Sequence, residues 1–135
     1  MFLGKDKSSK PQSRIDSLIG AGTRIEGDLI FAGGLRVDGE IRGNVRSTGD
    51  GGGTLVLSEN GRIEGEIHVS HLVINGTVIG PVFSSEFLEL QPRARVTGDV
   101  QYSSLEMHLG AVIQGRLDHQ EAAAKAVELK LASSN

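Results

Sequence analysis

Ile63-Glu64-Gly65-Glu66-Ile67 reads apolar-x-Gly-x-apolar, and this five-residue phrase occurs six times along the 135-residue chain. The other copies are Ile25-Glu26-Gly27-Asp28-Leu29, Ile41-Arg42-Gly43-Asn44-Val45, Val78-Ile79-Gly80-Pro81-Val82, Val96-Thr97-Gly98-Asp99-Val100 and Ile113-Gln114-Gly115-Arg116-Leu117. Their glycines stand 16, 22, 15, 18 and 17 residues apart, and the longest interval holds Gly49-Asp50-Gly51-Gly52-Gly53, a loop inserted between repeats. A second phrase, Leu-x-apolar, precedes each of the last five glycines by eight or ten residues, as in Leu35-Arg36-Val37 and Leu88-Glu89-Leu90. Ser17-Leu18-Ile19 is its degenerate first copy.

Stacked on one another, the repeats give nearly pure columns. Ile19, Val37, Leu57, Ile74, Leu90 and Met107 form one. Ile25, Ile41, Ile63, Val78, Val96 and Ile113 form a second, and Leu29, Val45, Ile67, Val82, Val100 and Leu117 a third. Alternation with period two makes short strands with one buried face. Glycine marks the corners, where the backbone bends or takes positive φ. A repeat of this length carries about three short strands, cannot cover its own apolar face, and must stack on its neighbours. The expected fold is therefore all-β: a single-stranded β-helix of about six windings, a rod about 29 Å tall at roughly 4.8 Å per winding. An ordinary β-sandwich would not align its strands in single-type columns at one period.

Composition agrees. Nineteen Gly, four Phe, one Tyr and no Trp call for a thin core of medium-sized side chains. There is no Cys, which excludes disulfides and thiolate metal sites. No apolar run is long enough to span a bilayer, and no signal-peptide pattern is present, so a cytoplasmic location is the default. Residues 1–14 place Lys5, Lys7, Lys10 and Arg14 against Asp6, a net +3, whereas residues 15–119 carry eight Arg against fourteen acids. Such an acidic body argues against direct nucleic-acid binding there. Three segments follow: a flexible basic tail over 1–15, a β-helix over 16–119, and a C-terminal tail over 120–135. Within the last, Gln120 to Leu131 favours helix and either folds over the final winding as a partial cap or frays.

Chemistry-bearing residues are sparse. His68 and His71 are the only close histidine pair, but i and i+3 on one strand face opposite sides and no third ligand follows at matching spacing. Gly49–Gly53 lacks the Lys-Ser/Thr of a phosphate loop, and Thr54 leads into a strand. Alternating charges such as Arg24-Ile25-Glu26 and Arg62-Ile63-Glu64 read as a solvated face with weak cross-winding pairs. No catalytic, cofactor-binding or metal residues emerge. Met1, Phe2 and Leu3 have no place in the repeat; beside Lys5, Lys7 and Lys10 they suit either a lipid anchor on anionic membranes or a disordered starter tail. A polymer displaying many such tails would bind by avidity. The terminal windings expose unpaired strand edges, so self-assembly is expected through Leu18 and Ile19 at one end and Ile113 and Leu117 at the other.

The six x-apolar-x-Gly-x-apolar windings over residues 16–119, together with the Met1-Phe2 start and its early lysines, resemble the bactofilins, polymer-forming bacterial cytoskeletal proteins. The resemblance implies a right-handed β-helix of triangular section with disordered tails. It also implies nucleotide-free, end-to-end filaments and a scaffold at the cytoplasmic face of the inner membrane. In that family the scaffold positions cell-wall enzymes and influences cell shape, and some members organise chromosome-segregation proteins. The Gly49–Gly53 insertion and the helix-forming C-terminal tail depart from the pattern. The rival class is a β-helical enzyme of the hexapeptide-acyltransferase or carbonic-anhydrase type. Those solenoids keep a strict six-residue step, which the change between eight- and ten-residue intervals breaks. They also trimerise around catalytic His, so a discrete trimer rather than filaments would favour them.

The column reading predicts that Ile63→Asp buries an unpaired charge between two windings at a cost of several kcal/mol. Loss of the folded rod is expected by circular dichroism, because a stack transmits one broken rung to its neighbours. A cooperative melt near that of the parent would overturn the assignment.

Overall fold

A computed structural model describes residues 15–121. Among these residues there is no helix, and every strand pairing is parallel. Thirteen strands build two sheets. One sheet stacks β1 (Ser17–Ile19), β3 (Leu29–Val37), β5 (Val45–Leu57), β7 (Ile67–Ile74), β9 (Val82–Leu90), β11 (Val100–Met107) and β13 (Leu117–His119) in that order. The other stacks the three-residue strands β2 (Arg24–Glu26), β4 (Glu40–Arg42), β6 (Arg62–Glu64), β8 (Thr77–Ile79), β10 (Arg95–Thr97) and β12 (Val112–Gln114). Strands adjacent in a sheet are one repeat apart in the chain, so the protein is a β-solenoid of six windings.

Each interior long strand pairs in two straight stretches separated by a register shift, at Ala32/Gly33 in β3, Arg46/Thr54 in β5, Val69/His71 in β7 and Tyr102/Ser104 in β11. These shifts are corners. With the short strand, a winding has three straight segments, as the period suggested. The Gly49–Gly53 insertion falls at the corner where the second winding passes into the third, inside β5.

The three columns are matched rung for rung. Ile63, for example, pairs with Ile41 on one side and Val78 on the other. Val37, Ile41, Val45, Leu57, Ile63, Ile67, Ile74, Val78, Val82, Leu90 and Val100 are completely buried. The leading leucines Leu55, Leu72 and Leu88 fill a fourth column. The remaining inward column mixes chemistries: Val69 pairs with Ser84, and Ser84 with Tyr102. The buried Ser84 hydroxyl lies 3.1 Å from the Ser70 carbonyl and 2.9 Å from that of Phe87, which accounts for a polar group in the core.

Corner lengths explain the two repeat intervals. Windings two and four turn from first to second segment in two residues, Asp38-Gly39 and Asn75-Gly76. The others use four-residue turns, such as Ser58 to Gly61, closed by a 2.8 Å bond from the Gly61 amide to the Ser58 carbonyl. The next corner is always Gly plus one residue. There a side chain often caps the following rung: Asp28 Oδ1 accepts from the Asn44 amide and Asn44 Oδ1 from the Glu66 amide, both at 2.9 Å. Pro81 has no amide hydrogen to donate and interrupts this series.

Two glycines separate conformational from steric demands. Gly65 has φ +149°, and a Cβ there would collide with the Gly43 carbonyl of the winding before. Gly27 has φ +133° but lies on the first winding, with nothing within 4 Å of an added Cβ. Gly27→Ala should therefore cost only the strained backbone, about 1–3 kcal/mol, and Gly65→Ala that plus the collision. Denaturant melts of the two variants should rank Gly65→Ala clearly below Gly27→Ala; equal losses would mean that winding spacing does not select glycine.

Candidate self-assembly surfaces

The buried columns run out at both ends of the rod. At the C-terminal end Met107 and Leu117, the last rungs of columns buried throughout their interior, are 44% and 43% exposed. Ile113 is half-buried beside them, Val112 is exposed, and Leu109, at the tip of the last four-residue turn, is 96% exposed. The equivalent turn position is Ala21 in the first winding, Glu59 in the third and Pro92 in the fifth, so of these four turns only that of Leu109 presents a large apolar side chain. At the N-terminal end Ile25 and Leu29 are half-buried first rungs, while Ile15 and Ile30 are exposed.

The four residues singled out from the sequence occupy different positions. Ile19 is the buried first rung of its column, and Ile113 and Leu117 lie on the terminal winding. Leu18, 61% exposed, stands above Arg36 and so points sideways from the flank rather than into the core. Ile25, Leu29 and Met107 were legible as column members, but only burial marks them as end-facing. Leu109 lies outside every column and had no periodic signal. The proposed lipid-contacting set, Met1, Phe2, Leu3, Lys5, Lys7 and Lys10, lies outside the described residues, as does the helix-forming stretch beyond residue 121.

On the short-strand sheet, charges alternate along and across the first three windings: Arg24–Glu26 at 3.2 Å, Arg42–Glu40 at 2.9 Å and Arg62–Glu64 at 2.8 Å. These pairs form mainly within a strand; the cross-winding contact expected from the sequence is limited to Arg62–Glu40 at 4.0 Å. The Arg42 hydrogen bond holds the Glu40 carboxyl below its ordinary value, opposed by slight desolvation and aided by Arg24 and Arg62. All six groups face water, so each pair contributes little. The pattern stops at the fourth winding, where Thr77 and Ile79 replace the charges.

His68 and His71 both point outward, contrary to the strand-alternation argument, because the Val69-Ser70 corner adds a residue between them. His68 bonds Glu66 at 3.0 Å, and His71 lies 3.7 Å from Glu86. A cluster that spacing did not reveal joins Glu89, Glu106 and His108, whose ligand atoms lie within 4.8 Å of one another. Glu89 and Glu106 are in register on adjacent windings, and His108 Nε2 lies 3.1 and 2.9 Å from their carboxylates. Contacts to the imidazole account for the grouping. It became visible only once register and turn geometry were combined. Among the described residues no helix is long and apolar enough to cross a membrane.

Comparison with known proteins agrees with this architecture. A protein-family model described as "Bactofilin: Polymer-forming cytoskeletal" matches residues 17–118. The chain is 26% identical over 113 residues to bactofilin BacP of Myxococcus xanthus (strain DK1622), a match covering 83% of this chain and 45% of BacP. It is 25% identical over 103 residues to bactofilin BacO of the same organism, covering 76% of this chain and 79% of BacO. Thus the chain spans under half the length of BacP and about four-fifths that of BacO. No solved structure matches significantly. With the matched segment coinciding with the six windings and covering most of the sequence, the chain belongs to the bactofilin family of polymer-forming cytoskeletal proteins.

Proposed function

We propose that this protein is a non-enzymatic bacterial scaffold whose solenoids stack end to end into filaments without nucleotide. The basic tail holds these filaments at the inner face of the cytoplasmic membrane, where they position cell-wall or cell-shape machinery. The observation that carries the reading is the exposure of the terminal rungs: Met107, Ile113 and Leu117 at one end, Ile25 and Leu29 at the other. A terminal winding leaves backbone groups and an apolar rim that only another winding covers fully. Stacking a second copy continues the same ladder. Every step of such growth is burial and hydrogen bonding, with no need for hydrolysis.

Membrane attachment rests on the sequence of the tail. Phe2 and Leu3 supply apolar insertion, and Lys5, Lys7 and Lys10 supply attraction to anionic headgroups. Multivalent display along a filament makes a weak anchor effective.

Two outcomes are expected. Leu117→Arg and Ile25→Arg should stay β-rich by circular dichroism yet form filaments poorly in sedimentation and negative-stain microscopy, with or without ATP or GTP. Loss of one buried side chain is worth about 1.5–3 kcal/mol, roughly a 10- to 100-fold higher critical concentration. Ile19 is less suited to this test, since its burial makes a charge there disrupt the first winding itself. Filaments indistinguishable from the parent in both variants would place the polymer contacts on the flanks.

Deletion of residues 1–10 should leave polymerisation intact and abolish pelleting with anionic liposomes. Equal pelleting of full-length and truncated protein would reject the anchor, and full retention in high salt would assign binding to the apolar residues over the lysines.

A further inference from the structure

Glu89 and Glu106 depart from the charge pattern of the rod. Their outward column runs Arg36, Val56, Val73, Glu89, Glu106 from the second winding to the sixth, each in register with the next. Two carboxylates are thus opposed on adjacent rungs, a destabilising arrangement for like charges. On the short-strand sheet every acid of the first three windings has an arginine beside it. Here no Lys or Arg among the described residues pairs with either group; Glu89 accepts from the Gln91 side-chain amide at 3.3 Å, and both carboxylates meet His108 Nε2. His108 opens the last four-residue turn and continues a corner column whose earlier members are Asp38, Ser58, Asn75 and Gln91. Only the sixth winding therefore brings an imidazole to the end of that corner column, and it does so where the two carboxylates stand. The imidazole contacts gather the three groups but, with the ring neutral, leave two negative charges uncompensated.

We propose that Glu89, Glu106 and His108 bind a divalent transition-metal cation of the zinc type, with one oxygen from each carboxylate and His108 Nε2 as ligands and water completing the shell. Zinc bonds to nitrogen and oxygen of about 2.0–2.2 Å set tetrahedral ligand atoms about 3.3–3.5 Å apart. His108 Nε2 lies 3.1 Å from Glu89 and 2.9 Å from Glu106, and all three ligand atoms fall within 4.8 Å of one another. Glu106 is exposed and the other two are half-buried, so small side-chain rotations bring that triangle to the required size. The imidazole selects a borderline cation over Mg2+ or Ca2+, which take oxygen ligands. His68 and His71 each meet one carboxylate only, and among the described residues no other three such groups come this close. A bound cation replaces repulsion between the fifth and sixth rungs with shared attraction, and it pins the turn that carries Leu109 to the winding before. The site lies on the flank and does not depend on end-to-end stacking.

Equilibrium dialysis of the full chain against micromolar zinc should find a saturable site that a large excess of Ca2+ does not displace. His108→Gln and Glu106→Gln should each weaken it about 10-fold or more, whereas His71→Gln should leave it unchanged. Denaturant melts give a second reading: zinc should raise the midpoint of the parent and of His71→Gln, and leave that of His108→Gln where it was. Absence of saturable binding overturns the proposal, as does an affinity unchanged in His108→Gln. Loss of the site in His71→Gln, or its displacement by Ca2+, also overturns it, by assigning the metal to other ligands.

Discussion

Backbone hydrogen bonds between strands in this protein run along the rod axis, from each winding to the next. A rung therefore cannot satisfy its own amides and carbonyls, nor cover its own apolar face; both tasks fall to its neighbours. The 2.9 Å bond from the Gly43 amide to the Glu64 carbonyl and the 2.8 Å bond from Gly80 to Thr97 belong to this ladder. The close approach it imposes removes room for a Cβ at Gly43, Gly65, Gly80, Gly98 and Gly115, where each added carbon would meet the carbonyl of the preceding corner. Glycine spacing, column purity and core composition are consequences of that one axial ladder. So is the exposed rim at each end, since a ladder has no natural last rung.

Much of this was legible because period-two alternation and the identity of the corner residue are both written locally. Val37, Ile63 and Val82 fall into columns on the sequence alone, and each pairs with the residue expected. Corners were less readable. A bend adds or drops a residue without changing the apolar pattern on either side, so His68 and His71 were assigned to opposite faces although both face outward. The Val69–Ser84–Tyr102 column carries no periodic signal because its members differ in polarity, and the serine is tolerated through carbonyls that the corner itself supplies. Glu89, Glu106 and His108 lie in two phrases and a turn, and nothing in their spacing brings them together. Leu18 matched the apolar pattern of a terminal rung, but its position above Arg36 puts it on the flank. For the ends, sequence identified the terminal windings; only burial separated inward rungs from sideways ones.

The flanks divide the rod into unlike surfaces. The first three windings of the short-strand sheet carry paired charges, whereas the last three carry Thr77, Ile79, Thr97, Val112 and Gln114 with Arg95 as their one charge. Because surface ion pairs contribute little to stability, this asymmetry costs the fold almost nothing and leaves the flanks free to differ among proteins with the same core.

The alternation of two- and four-residue corners also bears on how such a repetitive chain avoids pairing its windings out of turn. Gly39 tucks against the carbonyls of Gly20 and Thr23, and Gly76 against those of Ser58 and Gly61, so each short corner nests in the long turn of the winding before it. A chain that skipped one winding would set a long turn where a short corner belongs. In the fifth winding, for instance, Ala94 would bring a methyl group to a place shaped for a hydrogen. The unequal corners thus act as notches on a key: the second and fourth windings are distinguishable from their neighbours, so a one-winding slip there mismatches the turns.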